Sequence, residues 1–498
     1  MSRATINTGG VPFMESRGDS PSQANKKPCH ILVLADFSGR SHRGMDDAGS
    51  LASRKLWEIT RDNFEEVFYQ MQVTLALSIA NEPIRFHEFD ELHPDFIYDR
   101  VDLFSKFRAL KRKLKDKARF AEAAAEIQSW ASAPKETQSG GEPAASAQDA
   151  ASIELLDELL HSAQAKQAEK ESIQGLIQSI VAPYVVPRED PRQPELMASV
   201  DQAAGHLMRK IMHSSAFQAL ESSWRGLYWL MRRLELDNNL RLYIADVSFA
   251  ELMEDNQQHE NSSTQLHQRL IEQRAAEGAV PFSYIVADYS VEDQLDHCEG
   301  LANLASVAAD TNGLLFMGAS EKVAGCQSLA ATPDPNHWQA NEDFQLLWNA
   351  IREQEYSQYV ALTAPRFLLR LPYGKRTSPT ENLEFEELPD NDRHAYYLWG
   401  NSIWMLASVA GAAYSAGGMH PGFQKIADLP LHVQQVDGES RVTPCAEILM
   451  VDRAAAALEH LGLTVVRSVT DQDHVLLPSV RSLHESQEVL ATPWVYSQ

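Results

Sequence analysis

Positive charge is scarce in this sequence. Its 498 residues hold 44 Lys and Arg against 69 Asp and Glu, a formal net charge of −25 at pH 7. Such an acidic chain repels nucleic acid and anionic membranes, so either role would need a local basic patch. Cysteine is scarce as well: four residues, Cys29, Cys298, Cys326 and Cys445. Their spacing fits neither a zinc knuckle nor a CxxC redox pair, and four make no disulfide framework, so a reducing compartment is expected. The N-terminal stretch lacks the apolar core of a signal peptide. The longest apolar-leaning run, 402–419 (SIWMLASVAGAAYSAGGM), is rich in Ser, Gly and Ala, which suits a closely packed core helix better than a membrane span. A cytoplasmic protein without membrane insertion is expected. Catalytic signatures are missing too: the GxxxxGK phosphate loop, GxGxxG, GxSxG and HExxH are all absent. The 17 histidines show no paired ligand spacing. No catalytic residue, cofactor or metal is assigned.

What is present is ordinary globular material, 44% hydrophobic and 23% charged, enough for about two to four domains. Residues 1–27 are polar and rich in Gly, Ser and Pro, the composition of a disordered tail. Over 28–130 the pattern is a small α/β unit. It has a strand at 31–34 and an amphipathic helix with Phe64, Val67, Phe68 and Met71 on one face. Strands at 73–80 and 84–89 follow, then a helix opening at His93-Pro94-Asp95. Residues 131–151 lose all apolar period and read as a flexible linker. A helical segment, 152–194, carries Ile153, Leu155, Leu156, Leu159 and Leu160 and ends in a proline-rich stretch.

From 195 to 498 helices alternate with apolar strands. Strands are expected at 240–244, 282–287, 313–318, within 359–371, at 445–451 and at 463–466. Helices are expected at 195–236, 248–276, 291–310, within 394–417 and at 454–461. That alternation implies an α/β fold with a mostly parallel mixed sheet flanked by helices. No internal repeat of fixed period is visible.

The one dense basic stretch is 106–119 (KFRALKRKLKDKAR). Its charges line the polar face of a helix, either solvated or set against an acidic surface of another subunit. Asp46, Asp47 and Asp288 are isolated acids, and Cys298 and Cys326 read as buried thiols rather than nucleophiles. A second group is less ordinary. Phe217, Leu220, Trp224 and Leu227 share a helix face, with Arg225 beside them. The segment APRFLLRLPYG places Arg366 and Arg370 among apolar residues, with Tyr373 following, and Trp399 lies in YLWGN. Arginines in apolar strands need buried carboxylate or carbonyl partners, and Glu384, Glu386 and Glu387 are near in sequence. The pattern suits an active site or a rigid interlocking subunit, and composition does not choose between them.

Five blocks bring in a resemblance: HSSAFQALESSWRGLYWL, PFSYIVADYS, YVALTAPRFLLRLPYG with the FEE after it, YLWGNSIW, and CAEILMVDRAAAALEHLGL. Across roughly 152–485 they resemble the large contractile-sheath subunit of type VI secretion systems, the TssC/VipB/EvpB family. HILVLADFSGR, ITRDNFEEVF and FHEFDELHPDFIYDRV resemble the small subunit, TssB/VipA. The resemblance implies small- and large-subunit-like parts fused through the linker, working by assembly and not catalysis. It implies other sheath subunits as partners, with the inner tube and baseplate as further contacts. It also implies an AAA+ recycling ATPase of the ClpV type gripping the helix at 153–160. Trp224, Arg225, Arg366, Arg370, Tyr373 and Trp399 are then structural or interface residues. The family's large subunit continues well past the EILMVDR block, so the large part is expected to be C-terminally truncated. Two other readings stay open on the residues: a freestanding adaptor of the recycling ATPase, and an α/β enzyme whose Arg366 and Arg370 hold an anionic ligand.

Overall fold

Seven consecutive residues, CHILVLA, form strand β1 (Cys29–Ala35) of the computed structural model, and all are buried. The described residues are 27–80, 82–116, 119–131, 193–258, 263–388, 394–417, 423–436 and 439–487. The tail, nearly all of the 131–151 linker and the 153–160 helix lie outside them.

A strand with both faces apolar must be covered on both, and β1 is. It pairs in parallel with β5 (Leu240–Asp246) on one side and β6 (Tyr284–Val291) on the other. The full sheet runs β14-β8-β7-β6-β1-β5-β2, with β2 (Trp57–Ile59), β7 (Leu314–Ala319), β8 (Val360–Ala364) and β14 (Leu463–Val465). Every pairing is parallel except β2 on β5. Ile31 and Val33 enter the core on one face, and Leu32 and Leu34 the core on the other. The expected α/β class with a mostly parallel mixed sheet is what forms.

The first core is covered by α1 (Phe64–Met71), α2 (Pro94–Arg100), α3 (Ser105–Lys115), α4 (Phe120–Ala131), α5 (Gln193–Met212), α6 (Ser215–Arg233) and, later in the chain, α10 (Ile403–Ser415). The second is covered by α7 (Phe249–Gln258), α8 (Leu295–Asp310), α9 (Glu342–Arg352) and α11 (Asp452–His460). The apolar, Gly/Ala-rich α10 is an interior helix. Trp404 is fully buried against Gly226 of α6, where a Cβ would fall 2.2 Å from its indole nitrogen. Among the described residues no helix is long and apolar enough to cross a membrane.

Several sequence expectations shrink. The strands read at 73–80 and 84–89 reduce to a two-residue ribbon, β3 (Thr74–Leu75) on β4 (Ile84–Arg85). The strand read at 445–451 does not form: only Ala446 bridges to Phe367. Ile448 and Met450 pack on the second core while that backbone leaves the sheet. The basic helix α3 buries Phe107, Leu110 and Leu114. Its Lys111 is spent inside the chain, 2.6 Å from Asp201 of α5.

Candidate functional site

Helix α6 begins where Ser214 accepts a hydrogen bond from the Phe217 amide at 3.3 Å, a Ser N-cap. Its 3.6-residue period then sends two kinds of side chain inward. Trp224 is fully buried and donates from its indole nitrogen to the Phe37 carbonyl at 2.7 Å. Phe37, Phe64 and Phe68 surround its ring, with centroids 4.5 to 5.7 Å away. These are edge and tilted contacts of the favourable kind. Trp224 therefore sits in a pocket built by residues from the other end of the sequence.

One turn earlier, Glu221 is also fully buried. It accepts from Arg225 Nε at 2.6 Å and from Arg370 Nε and Nη2 at 2.8 and 3.0 Å. Arg370 donates to Glu387 from Nη1 at 2.6 Å and again from Nη2, shared with Glu221, at 2.9 Å. Glu387 also accepts the Tyr373 amide at 2.8 Å. The Arg370 guanidinium lies 4.4 Å from the Tyr373 ring centroid, and Arg225 donates to the Tyr373 hydroxyl at 3.0 Å. Two guanidiniums thus meet two carboxylates in a balanced network. Burial opposes ionisation of Glu221, but Arg370 and Arg225 outweigh it and hold its carboxyl below the usual range. Burial likewise opposes the charge on Arg370, and Glu221 and Glu387 raise its pKa well above the ordinary value. Breaking such a network leaves an uncompensated interior charge.

Arg366 fares differently. Its side chain is half exposed and makes a two-pronged pair with Glu447, the Nε bond being 2.9 Å. Of the three acids named from sequence, only Glu387 takes an arginine. Glu386 accepts the Lys375 amide and Glu384 pairs with Lys375 at the surface. Trp399 lies in β10 (Trp399–Gly400), opposite Leu368 of β9 (Phe367–Leu368), and donates to the His394 carbonyl at 2.8 Å. It forms a small separate cluster with Leu368 and Tyr397, away from the Glu221 network. The geometry therefore joins Arg225, Arg370 and Tyr373, sets Trp224 in its own aromatic pocket on the same helix, and leaves Arg366 and Trp399 apart.

Three further ties join the same two regions. Asp246 at the end of β5 accepts from the Ser38 amide and hydroxyl at 2.9 and 2.7 Å. Buried Glu251 holds Arg40 at 2.7 Å and Arg54 at 2.8 Å. Asp95 of α2 accepts the amides of Glu381 and Asn382, each at 2.9 Å. Sequence reasoning passed over Glu251, although Ser248-Phe249-Ala250-Glu251 has the form of a capping box. Ser248 and Glu251 do exchange those bonds, at 2.8 and 3.1 Å.

The chemical capacity of this site is cohesion. The enzyme reading rested on Arg366 and Arg370, and each is already paired, Arg370 with Glu221 and Glu387 and Arg366 with Glu447. All four thiols are buried and free of disulfides, and burial pushes Cys29 and Cys298 up to about 12. Thiols held that high are poor nucleophiles.

With that geometry in place, comparisons with known proteins separate the two regions by origin. Residues 194–484 match the family described as EvpB/VC_A0108, tail sheath N-terminal domain. Residues 15–130 match the family described as type VI secretion system, VipA, VC_A0107 or Hcp2. The chain is similar to the type VI secretion system sheath protein TssC1 of Pseudomonas aeruginosa, with 28% identity over 307 residues. That match spans 59% of this chain and 61% of the relative's length.

Proposed function

Because the chain belongs to the EvpB/VC_A0108 tail sheath family, we propose that it is a structural component of a type VI secretion contractile sheath, with small- and large-subunit-like parts supplied as one polypeptide. It works in the cytoplasm by subunit assembly and not by catalysis. One observation carries this reading. Strand β1, from the VipA-like region, lies between β5 and β6 of the sheath-like region, with seven residues in register on β5. A strand in the middle of a parallel sheet is a permanent partner rather than a docked one. The two parts behave as one building block, and the 131–151 linker ties them covalently. The block's partners are other sheath subunits, with the inner tube and baseplate as further contacts. A recycling AAA+ ATPase takes Ile153, Leu155, Leu156, Leu159 and Leu160.

Electron microscopy of the purified chain, alone and co-expressed with the other sheath subunits, tests the proposal. Incorporation into tubular assemblies is expected. A chain that stays monomeric and is excluded from co-expressed sheaths overturns it. For the ATPase helix, Leu156→Asp with Leu160→Asp should leave the protein folded and abolish ATPase binding. A folded variant with undiminished binding removes that partner from the scheme.

A further inference from the structure

Within the VipA-like region lies a cleft of about 560 Å³. It is bounded by Trp57 of β2, Tyr69 of α1, and Phe86 and His87 just beyond β4, with Arg43 and Arg85 in its wall. No residue lining it is acidic. In a chain with 25 more acids than bases, this wall sets two arginines among aromatic and neutral residues without a carboxylate.

Among the described residues neither of its arginines has a carboxylate partner. Arg43 donates only to the Gly39 carbonyl and the Ser38 hydroxyl. Arg85 makes no ion pair or side-chain hydrogen bond among the described residues. His87 meets Tyr69 by ring contact, with centroids 5.9 Å apart. At the rim Lys55 lies over the Trp57 ring, 3.1 Å from its centroid. Tyr69 is 62% exposed.

We infer that this cleft receives an acidic, extended polypeptide segment of a partner protein. Spacing argues for a peptide over a small anion. Burial alternates from Ile84 to His87, so Arg85 and His87 project to one side. Residues two apart in an extended stretch are about 6.6–7 Å apart. Alternate carboxylates of an extended partner have the same repeat, whereas one phosphate needs donors that converge on it. The exposed Tyr69 ring gives the partner's intervening apolar side chains a surface to cover. The inference does not depend on the sheath reading, since any acidic partner segment meets the same wall.

The probe is a fluorescein-labelled heptapeptide of alternating Glu and Leu, followed by fluorescence polarisation on the full chain, with a Lys/Leu peptide as control. The Glu/Leu peptide is expected to bind at low salt and to weaken as salt rises. Arg85→Glu with His87→Glu should weaken it roughly tenfold or more, and Tyr69→Ala by less. Thermal melting of each variant establishes that it is folded; Arg85→Gln, the milder change, serves if the reversal is not. Equal binding of both peptides, no binding at low salt, or undiminished binding by folded variants overturns the inference. So does full displacement of the peptide by inorganic phosphate, which would make the cleft a small-anion site.

Discussion

Arg366 and Arg370 come from one short segment, four residues apart, and end in opposite circumstances. The Arg370 side chain is 11% exposed and held by two buried carboxylates, whereas Arg366 is 51% exposed and held by one. What differs is the neighbour. Arg370 faces α6, where Glu221 closes the network from 149 residues away. Arg366 faces outward and reaches Glu447 on the segment that failed to become a strand. An arginine in an apolar run thus marks a buried network only when another element brings acids to it. The two are worth different amounts: interior pairs are expensive to break, and exposed pairs contribute little.

The widest test of that contrast is Arg370→Ala. It strands Glu221 and Glu387 beside Arg225 alone, and a loss of ~3–5 kcal/mol is expected in urea unfolding. A loss no greater than that of Arg366→Ala would erase the distinction. Next comes Trp224→Phe, which keeps a ring against Phe37, Phe64 and Phe68 but deletes the bond to the Phe37 carbonyl. It should cost about 1–3 kcal/mol, from lost volume and an unpaired carbonyl. Its cost should be insensitive to salt, unlike that of a charge deletion. Arg366→Ala should cost least, ~1 kcal/mol or below, read from the same unfolding curves.

Much of this arrangement was legible. The apolar-leaning strands at 31–34, 240–244, 282–287 and 313–318 read as buried strands although Arg241 and Ser283 interrupt two of them, and each lies in the sheet. Arg370 announced itself by needing a partner, and Glu387 was among those named. Glu221 was not, because it sits in a helix whose apolar positions dominate the pattern, and no local spacing points across 149 residues. The placement of β1 was equally hidden. Its composition says that both faces are buried, but the order of strands is set by pairings between residues about 210 apart, such as Ile31 on Leu242. The 445–451 run misled because apolar residues that pack without a ladder look the same, in sequence, as residues that join one.

A last contrast separates buried acids from buried bases by pH. Burial raises Asp246 and Asp288 from 3.8 to about 6. Burial lowers His30 to about 4 and His213 to about 3, from 6.5. Between pH 4 and 6 the folded aspartates keep protons that the unfolded chain has lost, so their contribution to stability falls as pH rises. Over the same window the unfolded histidines hold protons that the folded ones refuse, so their contribution rises with pH. The two trends oppose each other. Asp246→Asn keeps an acceptor for the Ser38 amide and removes one falling contribution. Its stability should climb with pH relative to the parent by up to about 1.4 kcal/mol per unit. His213→Phe keeps a ring to stack on Tyr396 and should tilt the profile the opposite way. Urea unfolding at half-unit pH steps reads both slopes, and parallel profiles for the two variants would show that these groups titrate alike in the folded and unfolded chain.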